Sequence, residues 1–221
     1  FECSWVANVP GSVYGKELQE SDDAGRITNV PHQKDIKVDT HWDIGMHDYT
    51  AIWLTQSLPG GRVNVIDFYQ NQGEGLPHYV RTLHEKGHVY GTHYGPHDLE
   101  VREMGTGKSR REAAYNLGLN FRVVPRLPVE DGIHASRLLI PRCYFDRDLC
   151  RDGLEALRHY HRAYSEKTRQ FRDQPVHDWS SHAADAFRTA AIGLQTQRLN
   201  NGTPPQRDAE MAYNPYEYGA A

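Results

Sequence analysis

The front half of the chain carries its apolar residues in short β-branched and aromatic runs. Residues 36–42 and 50–56 are two such runs, and the polar segment from Asp43 to Tyr49, which holds Gly45, joins them as a hairpin. Pro59-Gly60-Gly61 then turns the chain into residues 62–69, the third strand of an antiparallel meander. Leu76, Tyr79, Val80 and Leu83 recur at i, i+3, i+4 and i+7, which predicts a helix over 75–86 that ends at Gly87. A fourth strand, 88–94, follows directly. A strand–helix–strand order after a hairpin brings this strand back beside the first, parallel to it, so that carboxylates at the ends of the two can meet.

Further on the period lengthens. Ser109 with Glu112 three residues later is a capping-box pattern that starts a second helix, closed by Gly118, and 121–124 reads as a short fifth strand. The remainder reads as helical: 130–140, then 148–170 with Leu154, Leu157, Tyr160, His161 and Tyr164 on one stripe, then 180–198 with Ala183, Ala184, Phe187, Ala191 and Leu194. Residues 200–221 turn to Asn, Gly, Pro, Tyr and Ala without periodicity, the pattern of a flexible tail. Three meander strands, a helix, a fourth strand and then alternating helices and a fifth strand give the element order of a ribonuclease H-like α/β fold. The expectation is a mixed sheet of about five or more strands flanked by helices.

Composition narrows the class. Of 221 residues 38% are hydrophobic and 24% charged, and no apolar run approaches the ~18 residues of a membrane span. Cys3, Cys143 and Cys150 show no C-x-x-C spacing, so neither a disulfide framework nor a zinc ribbon is indicated, and a reducing compartment fits. The chain opens on Phe1 without a leader, as a fragment of a longer protein would. The net charge of -4 hides an uneven distribution: residues 1–101 carry -7, residues 102–172 carry +6 and residues 173–221 carry -3. Acidic flanks around a basic middle suit a site that gathers cations beside a surface that tolerates polyanions.

The acids carry the chemistry. Asp43 ends the first strand, Asp98 lies four residues beyond the fourth, and Asp185 interrupts the Ala-rich face of the last helix, where an unpaired buried carboxylate would be costly. Three carboxylates from distant segments can converge into a set of hard oxygen ligands for Mg²⁺ or Mn²⁺. Two such ions, with Asp43 as the bridge, suit in-line phosphodiester hydrolysis. Glu100 is an alternative to Asp98. His182 shares a helix face with Asp185 and would favour Mn²⁺ if it contributed a nitrogen. Asp48 reads as an Asx turn, Asp178 as the N-cap of the last helix, and Asp67 equally as a solvent-facing acid or a support near the metals.

Gly105-Thr106-Gly107-Lys108-Ser109 resembles half a P-loop, but Arg102 stands where the first Gly is needed and no hydrophobic strand leads in, so nucleotide binding is excluded. Lys108, Arg110 and Arg111 are instead candidate DNA-phosphate contacts. The basic residues between Arg151 and Arg172 are spread around their predicted helix and read as a solvated face.

Several ordered segments are also familiar. They are Phe1-Glu2-Cys3-Ser4-Trp5 with Tyr14-Gly15, the stretch 42–52, Gly95-Pro96-His97-Asp98, Asp131-Gly132-Ile133 and the stretch 177–188. Together, over roughly residues 1–195, they resemble the C-terminal nuclease domain of tailed-bacteriophage terminase large subunits. The resemblance implies a nuclease domain over 1–199, with Asp43, Asp98 and Asp185 as metal-binding carboxylates and His182 lining the same catalytic site. It further implies a metal-dependent endonuclease that cuts double-stranded viral DNA during genome packaging. The ATPase domain of the same full-length chain, the portal protein and the small terminase subunit would be its partners, in the host cytoplasm. The alternative is a non-catalytic assembly module that docks on the portal or small subunit through the tail residues Tyr213 to Tyr218.

Overall fold

The computed structural model describes residues 9–45, 48–102, 107 and 109–202. The chain begins with α1 (Gly15–Asp23) and β1 (Ile27–Thr28). The meander follows as β2 (Val38–Ile44), β3 (Tyr49–Ser57) and β4 (Val63–Gln72), then α2 (Leu76–Lys86) and β5 (Tyr90–Gly95). After α3 (Arg110–Asn116) and β6 (Phe121–Val123) come α4 (Val129–Leu139), β7 (Cys143–Asp146), α5 (Arg151–His159), β8 (Arg162–Ser165), β9 (Gln170–Pro175) and α6 (Ser181–Gly202).

Seven strands form one mixed sheet in the order β1-β7-β4-β3-β2-β5-β6, and β8 and β9 form a separate hairpin. The expected meander is present: β2 pairs antiparallel with β3, and β3 with β4. The crossover is present too, since β5 returns parallel to β2 with Thr40 opposite His93 and His41 opposite Tyr94. β2 therefore sits in the interior of the sheet, and its odd and even residues face different layers. Trp42 packs with Tyr79 and Phe121 in the core beneath α2 and α3. Asp43, the next residue, is turned toward the opposite face, which α6 covers.

On that face Trp53, Phe68, Phe145 and Phe187 form the centre of a larger core with the alanines of α6. Small side chains let this helix lie close to the strands: the Trp53 indole N–H donates to the Ala183 carbonyl at 2.8 Å. At Gly193 a Cβ would stand 2.6 Å from the Tyr94 ring, so a side chain there would push α6 off β5. Ser109 caps α3 through the full capping box with Glu112.

The helix expected over 148–170 is corrected. Its first part exists as α5, but the backbone turns extended at Tyr160, and residues 162–175 form the β8–β9 hairpin. Tyr160, His161 and Tyr164 fit a helical stripe by spacing, yet their partners are elsewhere. Ser12 bridges to His161, the Arg162 N–H donates to the Gly11 carbonyl, and Tyr164 meets Phe171 across the hairpin with ring centroids 5.3 Å apart. Tertiary pairing overrides the local period. The basic residues Arg162, Lys167, Arg169 and Arg172 therefore belong to the hairpin and not to a helix. The expectation also omits α1, β1 and β7. The last helix runs to Gly202 instead of 198, and most of the tail 200–221, including Tyr213 to Tyr218, lies outside the described residues. Among the described residues no helix is long and apolar enough to cross a membrane.

Candidate metal centre

Three elements deliver the three aspartates. Asp43 lies on β2 one residue before its end, Asp98 lies in a single 3₁₀ turn (His97–Glu100) directly after β5, and Asp185 lies in the second turn of α6. Because β2 and β5 run parallel as neighbours, their carboxyl ends open on the same edge of the sheet. The N-terminal part of α6 crosses that edge. All three side chains line one cleft of about 660 Å³, together with Arg126 and Arg188.

The cleft puts negative charge where water is scarce. Burial pushes the Asp43 carboxyl above its ordinary value; a hydrogen bond from His182 counteracts this and Asp98 adds to it. Asp185 is pushed up to about 6, again first by burial, with Arg188 opposing and Asp43 reinforcing. Arg188 is its direct counter-ion, Nη2 to Oδ1 at 2.6 Å one helical turn away. Asp98 has Oδ2 at 3.9 Å from Arg110, while its Oδ1 is buried and has no hydrogen-bond partner among the described residues.

His182 is almost fully enclosed, with 7% of its side chain exposed. Its Nδ1 lies 3.2 Å from Asp43 Oδ2 and its Nε2 lies 3.1 Å from Asp48 Oδ1. The Asp43 hydrogen bond, against the effect of burial, raises its affinity for a second proton. It touches Asp43 but is not among the residues that line the cleft, so the expectation that it lines the same site as the three aspartates is met only through that contact.

The other expected residues fall out differently. Arg110 donates to the Ile44 carbonyl at 3.3 Å and stands 3.9 Å from Asp98, beside the cleft but not among the residues that line it. Arg111 is exposed and paired with Glu100 at 3.0 Å. Lys108 lies outside the described residues. Asp67 pairs with Lys86 of α2, away from the cleft. Asp178 accepts from the Ser180 N–H at 2.9 Å and fastens the chain two residues ahead of the position expected for an N-cap. Asp48 accepts from the N–H of its immediate neighbour Tyr49, not from the residue two positions on that an Asx turn needs, and it faces two imidazoles, so no described contact supports the Asx-turn reading.

Among the described residues, the trio whose donor atoms all lie within 4.8 Å of one another is Asp48, His177 and His182; the three aspartates stand farther apart around the cleft. Three participants escaped the sequence reading, Arg126, Arg188 and His177. Arg188 had a usable signal, its i+3 spacing from Asp185 on a helix. His177 had none, because it reaches Asp48 only through the tertiary fold.

No protein-family model and no curated protein matches the chain. Solved structures do. The chain matches the large terminase of a thermophilic bacteriophage at 17% identity and a TM-score of 0.59, over 84% of this chain and 45% of that one. It matches the large terminase nuclease domain of bacteriophage P22 at 15% identity and a TM-score of 0.59, over 77% of this chain and 89% of that one. The large terminase nuclease of the thermophilic phage G20c with bound magnesium matches at 15% identity and a TM-score of 0.57, over 83% and 97%. The fold is thus the ribonuclease H-like fold of large-terminase nuclease domains. The chain spans less than half the length of the first of these proteins.

Proposed function

We propose that the chain is the nuclease part of a terminase large subunit, an endonuclease that hydrolyses phosphodiester bonds of double-stranded DNA with divalent metal ions. The observation that carries this reading is the meeting of Asp43, Asp98 and Asp185 in one cleft of a terminase-nuclease fold. The donor set fits Mg²⁺ or Mn²⁺: three carboxylates, hard and anionic, in a cleft open enough to admit a phosphate. The G20c nuclease, which shares the fold, has been solved with magnesium and with cobalt. Two ions held by these carboxylates, with Asp43 between them, would activate the attacking water and stabilise the leaving 3′-oxygen.

The protein's own groups prepare that chemistry. Arg188 holds the Asp185 carboxylate in place, and His182 holds Asp43 by one oxygen and leaves the other to the cleft. His182 is therefore a positioning residue for Asp43. Arg126, on the wall of the cleft, provides a positive charge for a DNA phosphate. Lys108 and Arg111 extend that contact in this reading, while Arg110 steadies Asp98.

With a net charge of -4 the chain alone binds DNA weakly and in a salt-dependent way. The ATPase domain of the longer chain, the portal and the small terminase subunit, in the host cytoplasm, supply the local concentration of DNA. Nicking of supercoiled plasmid in Mn²⁺ tests the proposal. Cleavage is expected from the wild-type chain and lost with Asp43→Ala or with excess EDTA. Cleavage that survives either change refutes it.

A further inference from the structure

We propose that Asp48, His177 and His182 form a separate cation site that takes a borderline transition-metal dication, Zn²⁺ being the representative ion, next to the three-aspartate cleft. It does not depend on the nuclease reading, since it rests on a different set of donors.

The orientation of the two imidazoles carries the argument. The Ser181 hydroxyl donates to the Asp178 carbonyl at 2.6 Å, so its oxygen is left to accept, and His177 Nδ1 lies 3.0 Å from it. That contact places the His177 ring proton on Nδ1 and turns the Nε2 lone pair outward. His182 repeats the arrangement with a carboxylate: Nδ1 faces Asp43 Oδ2 at 3.2 Å and Nε2 points away from it. Histidines that bind metals are oriented in this way, with the distal ring N–H engaged by a carboxylate, hydroxyl or carbonyl. Here both are, and both free nitrogens converge on one carboxylate.

The spacing agrees. Asp48 Oδ1 lies 3.1 Å from His182 Nε2, Asp48 Oδ2 lies 3.7 Å from His177 Nε2, and one donor atom from each residue falls within 4.8 Å of the others. A tetrahedral ion with bonds of ~2.0–2.1 Å sets its donors about 3.3 Å apart. Two imidazole nitrogens and one carboxylate oxygen with an open fourth position suit Zn²⁺, Co²⁺ or Ni²⁺ far better than Mg²⁺, which prefers six oxygens. The competing occupant is a proton: carrying both ring protons, His182 would bridge Asp43 and Asp48 as an imidazolium. A bound dication would instead tie the segment before β3 to the segment before α6 and hold the His182 Nδ1–H on Asp43.

Calorimetric titration of the 221-residue chain with Zn²⁺ alone, paired with imidazole ¹⁵N spectra, tests this. The wild-type chain and the Asp98→Asn variant are expected to share a Zn²⁺ site of similar affinity, and His177→Gln to weaken that site at least ~10-fold. His177 is exposed, so the substitution leaves the core intact, and a zinc-free thermal melt verifies that. In the spectra, Nε2 of His177 and of His182 moves on zinc addition while Nδ1 keeps its proton. Equal affinity in wild type and His177→Gln overturns the proposal, as does loss of binding in Asp98→Asn with His177→Gln unaffected. A His182 ring that still carries both protons in saturating Zn²⁺ also overturns it.

Discussion

Asp185 links the stability of the fold to the occupancy of the cleft. Its side chain is 27% exposed, and burial raises its pKa from the ordinary 3.8 to about 6. Between those two values the folded chain keeps a proton that the unfolded chain has lost, so stability falls as pH rises through this window and levels off above it. A displacement of about two units corresponds to about 3 kcal/mol. For a domain of this length that is about 6–12 °C in Tm, at ~2–4 °C per kcal/mol. Other groups titrate in the same range, so the informative quantity is the difference between wild type and Asp185→Asn, whose amide mimics the protonated acid. Thermal unfolding from about pH 4 to about pH 7 should show the wild type losing ~3 kcal/mol relative to the variant. Saturating Mg²⁺ should restore it in the wild type alone, because an ion that binds only the ionised, folded site contributes ~2.7 kcal/mol at a hundred times its Kd. A wild-type and Asp185→Asn pair with parallel pH profiles would refute the electrostatic reasoning. A pH-dependent gap that Mg²⁺ does not close would refute the metal assignment while leaving the burial argument intact.

Three further outcomes follow from contacts already described. Phe187→Ala removes the ring that α6 sets against Trp53 and Phe145, at centroid distances of 5.6 and 6.0 Å, and should cost ~3–5 kcal/mol in denaturant unfolding; a loss below ~1 kcal/mol would mean that the α6–sheet core is not packed as described. Ser109→Ala abolishes the capping box of α3 and should destabilise it by about 1 kcal/mol, read as faster hydrogen exchange at the first amides of that helix; unchanged exchange contradicts the cap. Arg111→Ala should lower the slope of log affinity against log salt for duplex DNA by about 1 if this side chain leaves Glu100 for a phosphate, and fluorescence anisotropy showing an unaltered slope would remove it from the interface.

The parts of the fold legible in the sequence are those whose signals are local. The meander β2–β3–β4 declares itself by β-branched runs and the Pro59-Gly60-Gly61 turn, and α2 by its apolar spacing and the left-handed Gly87. β1 and β7, at two and four residues, are too short for any period, and they exist because Val63 to Val65 of β4 offers β7 a parallel edge and β7 then offers one to β1. α1 buries only Leu18 and Ser21 along its length, so it has no stripe to find. The hairpin β8–β9 was hidden by a helical spacing that its tertiary partners in residues 11–12 override.

The site was legible for a different reason, one of energetic cost. Along α6 the residues facing the sheet are nearly all small or apolar: Ala183, Ala184, Ala186, Phe187, Ala190 and Ala191 are buried. Into this pattern are set His182, Asp185 and Arg188, each three residues from the last, an ionisable stripe on a helix whose other buried polar groups, among the described residues, are the hydroxyls of Ser181 and Thr189. Burying a histidine, a carboxylate and a guanidinium is tolerable only if each has a counter-charge, and the structure provides them: Asp43 and Asp48 for His182, and Arg188 for Asp185. After these pairings Asp98 has only the Arg110 contact at 3.9 Å and one buried oxygen without a partner among the described residues, and Asp43 is held above its ordinary pKa. A divalent ion at the meeting of β2, β5 and α6 would relieve the repulsion among the three carboxylates that burial and their mutual proximity raise in energy.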